Sequence, residues 1–338
     1  MNKDIDLDYL NEKRKERCEK LFEEKDLEYP EILDNGSYLV DSKGNRIGTK
    51  GDYNAKKIMD KLIKEGCWDK NPRPRYESDN TPAYTLSLNN VAHFTYDINK
   101  GESPLITLRP IAIKKSIGEI LWIYQDASCN LDLLRDKYGV TWWDEWDLKD
   151  ENGNNKRNIG STYGNIINEY KQMKNLLENI KKNPDGRRHI IDMWQLREFE
   201  KPHGLKPCAY SNVWNVRHGR DGDDYLDMKL IQRSSDFMVA GCINQMQYLA
   251  LMKMVARDCN LKPGTFTWEV ENIQIYDRHI TQAVEQLNRE PVNCEPYLQL
   301  NPEVNNFYDV NVDDFKVENY PREYIKVKNK QQKFDKGI

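Results

Sequence analysis

From Tyr210 to Asp277 the chain switches between two periods. The runs YSNVWNVR, YLDMKLIQRS and GTFTWEVENIQIYD repeat apolar residues at every second position. Between the second and third lies INQMQYLALMKMVARD, apolar on nearly every side of a helix. A period of two sends alternate side chains to opposite faces, so each of the three runs is expected to be a half-buried strand. A helix without a polar face cannot lie on a surface. It must be buried against the sheet that those strands make, and everything else has to pack around that pairing.

The flanking segments extend the pattern. TPAYTLSLNNVAHFTYDI and RRHIIDMWQL also alternate. YNAKKIMDKLIKEG, IAIKKSIGEILWIYQDAS and RHITQAVEQLNRE have helical spacing, the first closing at Gly66. Strand and helix runs are interleaved without βαβ regularity, which predicts an α+β fold with a large mixed β-sheet packed with helices. Residues 1–52 stand apart. LDYLNEKRKERCEKLFEEK reads as a charged helix with a thin apolar stripe, and GSYLVDSKGNRIGTKG as a hairpin turning at SKGN. The expected division is an N-terminal extension, 1–52, whose role the sequence does not give, and a main domain, 53–338.

Several classes of function are disfavoured. With 31% charged and 38% hydrophobic residues the chain is globular in type. Its net charge of -4 exerts no long-range pull on nucleic acid or an acidic membrane, so an anion site must be a local cluster of Arg or Lys. The start carries no apolar leader and no run is long enough to cross a bilayer, so a cytoplasmic protein is expected. Seven cysteines, none in a CxxC pair, argue against a disulfide framework. Five histidines without HxH or HExxH spacing argue against a metal site.

Four places resist a purely structural reading. Glu119 lies within SIGEILWIY, where a buried carboxylate is costly unless paired or protonated. It is either a partnered structural acid or an acid/base with a raised pKa. Arg187 and Arg188 follow the turn NPDG and open a strand, where neighbours point to opposite faces. Unless they are a solvated pair, both serve one anion only if the backbone is irregular there or the anion belongs to another chain. Arg233, Ser234, Ser235 and Asp236 end a strand ahead of the buried helix, a junction suited to phosphate capture by a guanidinium. Cys208, in GLKPCAY, is a small buried hydrophobe or a nucleophile. The nucleophile needs a cation or base nearby, and His203 is the nearest histidine in sequence.

These residues fall within a larger pattern. RPIAIKKSIGEILWIYQ, TWWDEWD, GSTYG, NPDGRRHIIDMW, LKPCAYSNVW, QRSSDFMVAGCINQMQYLAL, IQIYDRHITQ and KFDKGI occur in the order of the thymidylate synthase family, which the chain resembles from about Tyr53 to Ile338. The resemblance implies methylation of dUMP to dTMP, with 5,10-methylenetetrahydrofolate giving the one-carbon unit and hydride and leaving as dihydrofolate. No metal is implied. By motif position, Cys208 would add to C6 of the pyrimidine. Arg233 would hold both the thiolate and the substrate phosphate. Arg73 would be a further phosphate ligand, ahead of Arg75 as the alternative. Ser234 belongs to the same substrate-binding group. Arg187 and Arg188 would reach the phosphate of a neighbouring subunit, which requires a homodimer built on a sheet face. Asn244 would read the base, Gln274 would stand where the family most often has His, and Tyr276 would bond the deoxyribose hydroxyl. Glu119 would organise proton transfers at O4, and Tyr163 would help remove the C5 proton. Trp143 and Trp146 would line the folate site, Asp236 would bond the pterin, and Ile338 would close over it.

The sequence also departs from the family. VAGCINQ replaces a Gly-x-Pro-Phe-Asn pattern while keeping the spacing from Asp236 to Asn244, and Ala209 stands where several members have His. The tail NKQQKFDKGI is more polar than usual. A loosely closed tail would let water trap the intermediate, so the first alternative is a pyrimidine nucleotide 5-hydroxymethylase of the same fold. A cysteine hydrolase using His203 is the second.

Overall fold

The computed structural model describes residues 29–337, together with Glu12. Apart from Glu12, the charged helix expected near the N-terminus lies outside the described residues, as does Ile338.

Six strands form the main sheet: β3 (Cys67–Trp68), β4 (Thr85–Asp97), β5 (His189–Asp192), β6 (Ala209–His218), β7 (Asp224–Asp236) and β8 (Lys262–Tyr276). Their order is β3-β4-β8-β7-β6-β5, with β7 and β8 parallel and every other pair antiparallel. The sheet is therefore mixed, and the α+β expectation holds. Alternation along β7 and β8 separates two faces. Met228, Leu230, Trp268 and Val270 are fully buried, whereas Lys229, Glu269 and His93 between them are half-buried or exposed. On that second face Glu269 takes Lys229 at 2.6 Å and His93 at 3.0 Å.

The buried helix is α6 (Cys242–Asp258). It packs on β7 and β8 and against α2 (Ile113–Tyr124), the other helix with apolar residues on nearly every side. Burying both faces of the pair explains why neither has a polar stripe. A π-helical turn, Phe237–Gly241, joins β7 to α6. Such turns insert an extra residue into the helical ladder and recur at functional sites. Here it includes the first three residues of VAGCINQ, Val239–Gly241.

The first main helix, α1 (Lys50–Glu65), starts three residues before the run that the spacing picked out. Thr49 and Asp52 form a capping box that satisfies orphan N–H groups at the helix start. Asp52 is buried and also accepts from the Thr107 amide and hydroxyl at 2.6 and 2.8 Å, while Thr49 Oγ1 donates to Leu105 O at 2.7 Å. The hairpin at SKGN is present as β1 (Leu39–Val40) and β2 (Arg46–Ile47). Two further differences bear on the site. The run RRHIIDMWQL yields only the short β5, and Arg187 and Arg188 precede it in a bend rather than opening the strand. The β4 segment is one strand, with a bulge between Asn89 and Ala92 where Asn90 adopts φ 57°.

Among the described residues no helix is long and apolar enough to cross a membrane, and no group of three His, Cys, Asp or Glu is placed to hold a metal ion.

Candidate active site

Cys208 sits immediately before β6, and its carbonyl accepts the Arg233 amide at 2.9 Å across the β6–β7 ladder. The register slips by one residue between Ala209 and Ser211. This bulge re-aims the end of the strand, a device common beside active sites. The strand brings Arg233 alongside the thiol. Its Nε and Nη2 donate to Pro207 O and Lys206 O at 2.9 and 2.8 Å, and Nη2 also reaches Cys208 Sγ at 3.5 Å. Burial pushes the Cys208 thiol up, and Arg233, the Ser234 hydroxyl and Arg73 each pull it down without cancelling that effect. The cation that the nucleophile reading requires is thus present. His203 does not supply a base: its Nδ1 faces Lys201 O at 2.8 Å and its ring packs near Phe199.

Cys208 opens into a cleft of about 860 Å³ whose lining includes Glu119, Asn244 and Tyr163. Glu119 is buried on α2 and accepts from two indoles, Trp143 Nε1 at 2.9 Å and Trp142 Nε1 at 2.5 Å. Burial outweighs these donors and raises the carboxyl to about 7. Glu119 is thus both partnered and raised, so features of each of the two readings left open for it are present. Tyr163 begins α4 (Tyr163–Glu169) at φ 34°, a conformation rare for a bulky residue. Its hydroxyl accepts the Cys208 amide at 2.9 Å, which fixes phenol and thiol to one frame. Trp143 and Trp146 form an aromatic wall with ring centroids 5.3 Å apart.

Asn244, on the first turn of α6, is oriented by two glutamines. Gln232 Nε2 donates to its Oδ1 at 3.2 Å, and its Nδ2 donates to Gln247 Oε1 at 2.9 Å. Neither glutamine was singled out from the sequence. The signal for Gln247 was its spacing of three from Asn244, one helical turn. Gln232 lay inside the QRSSD motif.

The other expected residues fall into three groups. Asp236 caps the π-helical turn through Met238 N and Val239 N at 3.0 and 3.2 Å, and burial raises its carboxyl. Gln274 stands between Asp236 and Ser87 in the sheet, and among the described residues its carboxamide makes no hydrogen bond. Tyr276 is buried two residues later, and burial raises its phenol. Arg73 is exposed yet pulls the Cys208 thiol down, and Arg75 is exposed as well. Arg187 and Arg188 are brought to a different place. They are exposed and line a separate polar cleft of about 520 Å³ with Asn183, Asp185 and His189.

The thymidylate synthase family model matches residues 53–330. The chain belongs to the thymidylate synthase family. A thymidylate synthase of Streptococcus thermophilus is 42% identical over 276 residues, covering 80% of this chain and 95% of the relative. One of Streptococcus pneumoniae is 42% identical over 273 residues with the same coverage. The solved thermostable thymidylate synthase A of Bacillus subtilis superposes with a TM-score of 0.74 at 31% identity, over 85% of this chain and 99% of that one. This family member is accordingly an enzyme, a methyltransferase.

Its departures from the family pattern now have places. The polar tail is docked. Lys336 pairs with Glu145, beside Trp146, and approaches Glu77 at 3.8 Å. Asp335 pairs with Arg278 at 2.5 Å and accepts from Ser78 at 2.6 Å. Gly337 packs so closely on the Tyr276 ring that a Cβ there would stand 2.6 Å from Cζ. Phe334 lines the cleft over Arg109, a buried cation the sequence reading gave no role, which donates to Met238 O at 2.8 Å. Polar pairs thus hold this tail where an apolar one would rely on packing.

Proposed function

We propose that the enzyme converts dUMP to dTMP, with 5,10-methylenetetrahydrofolate as second substrate. One observation carries the reading: a thiol within reach of a guanidinium opens into a cleft that also holds a raised carboxyl and an oriented carboxamide. Uracil C5 is a poor nucleophile, and addition of a thiolate at C6 makes it an enolate equivalent. Cys208 is the group to add, and Arg233 is the cation to favour its anion. Arg233, Ser234 and Arg73 gather positive and donor character for a phosphate beside the thiol. Asn244 keeps one N–H and one lone pair for the base, which suits O4 and N3–H of uracil and opposes cytosine. Glu119, near neutrality in its titration, can pass a proton at the O4 side, and Tyr163 stands by Cys208 for loss of the C5 proton.

The Trp143–Trp146 wall fits a pterin face, Asp236 is assigned as the acceptor for the pterin, and Arg322 and Lys326 give the cleft cations suited to the glutamate carboxylates. The folate supplies the one-carbon unit and a hydride and leaves as dihydrofolate. Ile338 would complete the closure that Phe334 and Lys336 begin. Gln274 and Tyr276 are assigned to the nucleotide. Arg187 and Arg188 are assigned to the phosphate of a second copy, in a homodimer formed through the sheet face that carries Lys229 and Glu269. The main domain, 53–338, carries this activity, and residues 1–52 extend it. We place the enzyme in the cytoplasm.

The deciding experiment is incubation with 5-fluoro-dUMP and methylenetetrahydrofolate, read by intact mass. A stable ternary adduct on Cys208, absent in Cys208→Ser, is expected. No adduct in the wild type, or, in a parallel incubation with dUMP in place of the fluoro analogue, release of 5-hydroxymethyl-dUMP without dihydrofolate, would refute the reading. Activity recovered on mixing Cys208→Ser with Arg187→Ala subunits would support the shared phosphate site, and its absence would remove it.

A further inference from the structure

The hydrogen bonds around Asn244 form a chain with a direction. Trp268 Nε1 donates to Gln232 Oε1. An indole can only donate, so it forces the Gln232 amide to turn its oxygen towards Trp268 and its nitrogen towards Asn244. That nitrogen donates to Asn244 Oδ1 at 3.2 Å, and Asn244 Nδ2 donates on to Gln247 Oε1 at 2.9 Å. The direction set at Trp268 leaves Gln247 with its nitrogen at the far end. This Nε2 is buried without a partner at hydrogen-bond distance. Trp268, Gln232 and Gln247 are 0%, 1% and 2% exposed, so water does not compete for these bonds.

Resting on the proposed dUMP reading, we infer that Gln247 is a positioning residue whose oxygen locks the Asn244 amide in the orientation that selects uracil over cytosine. A flipped Asn244 would present its oxygen where cytosine offers an amino group and its N–H where N3 offers a lone pair. Gln232 alone holds Asn244 by one long bond. The acceptor on Gln247 makes the flip unfavourable, because the flipped amide would set two oxygens against each other and two NH₂ groups against each other. The location of Gln247 on α6, a turn beyond Asn244, is what brings its oxygen to the base reader.

Two substitutions test this. Gln247→Met keeps the volume and removes both polar atoms. It is expected to lower the preference for dUMP over dCMP, measured as the ratio of dCMP inhibition constant to dUMP KM, by about tenfold. Gln247→Glu keeps an acceptor for Asn244 and should retain the dUMP preference. A merely structural role would weaken both nucleotides together and leave their ratio in place. Circular dichroism establishes that each variant is folded. Should Gln247→Met not fold, Gln247→Leu takes its place. Unchanged selectivity in the folded apolar variant, or a preference lost in a folded Gln247→Glu, overturns the inference. A wild type that forms no adduct with 5-fluoro-dUMP is a separate result and refutes the dUMP reading instead.

Discussion

The buried Glu119 carboxyl should make stability fall as pH rises. Its folded value of about 7 lies above the ordinary 4.5, so between those values the folded state binds a proton that the unfolded state has released. The sign follows from linkage: stability from this group is complete below pH 4.5 and is lost as pH climbs through 7. At 1.36 kcal/mol per tenfold change in proton affinity, the whole effect is roughly 3 kcal/mol, of which about 2–3 kcal/mol falls between pH 5 and pH 8.5. Glu119→Gln removes it. The variant carries a fixed penalty, because one of Trp142 and Trp143 then faces an amide N–H instead of an oxygen. That penalty is the same at both pH values and cancels in the difference. The assay is equilibrium urea unfolding at pH 5 and pH 8.5, at one protomer concentration, for both proteins. The wild type should lose about 2–3 kcal/mol more than the variant over this interval. Parallel losses, agreeing to within about 1 kcal/mol, would mean that the carboxyl is ionised at little cost and that burial does not govern it.

Removing Arg233 should raise the Cys208 thiol further, so Arg233→Ala is expected to slow iodoacetamide labelling at pH 7 by roughly three- to tenfold and shift its pH midpoint upward. Arg73→Ala should do so less, and an equal or larger effect of Arg73 would contradict the geometry. Lys336→Met breaks the pairs with Glu145 and Glu77, each part-exposed, and should raise the folate KM by up to about fivefold. High salt should mimic the substitution in the wild type and do little in the variant, and equal salt responses would show that these pairs do not hold the tail. Thr49→Ala loses both the cap on Asp52 and the bond to Leu105 O and should cost about 1–2 kcal/mol in urea unfolding. A cost below about 0.5 kcal/mol would show that this end of α1 is held elsewhere.

Much of the architecture was legible because burial writes a period into the chain. Alternation marked β6, β7 and β8, and unbroken apolarity marked α2 and α6, since a fully covered helix has no face to keep polar. What escaped were local breaks of period. The bulge after Ala209 and the π-helical turn at Phe237–Gly241 each insert one residue, and nothing in composition reports an insertion. The bend at Arg187 likewise looked like a strand start, because β5 follows it directly. The site was legible where a residue type was implausible in place, as with Glu119 inside SIGEILWIY. Gln232 and Gln247 were silent for the opposite reason. A glutamine on a half-polar strand or in a long helix raises no conflict, and only the folded geometry shows that its partners are Trp268 and Asn244.

The groups that anchor the site share a property that shapes the whole cleft. Glu119 is held by Trp142 and Trp143, Gln232 by Trp268, and the Lys206–Cys208 turn by Arg233, all of them groups that donate hydrogen bonds and cannot accept. A hydroxyl or amide in the same positions could rotate and exchange its role, leaving two arrangements of nearly equal energy. A donor-only neighbour removes that choice. Each acceptor it touches has one orientation left, and the amides beyond it inherit that orientation in turn. The order so imposed comes from buried groups before any ligand contributes, so the polar face offered to a base is set by the fold and its orientation carries no cost at binding. Replacing Trp268 with Phe should therefore test the fold's share of selectivity from about as far along the chain of bonds as it can be approached. Gln232 would be free to turn, and the preference for dUMP over dCMP should fall although no residue lining the cleft has changed. A preference equal to that of the wild type would place the control of orientation within the cleft itself.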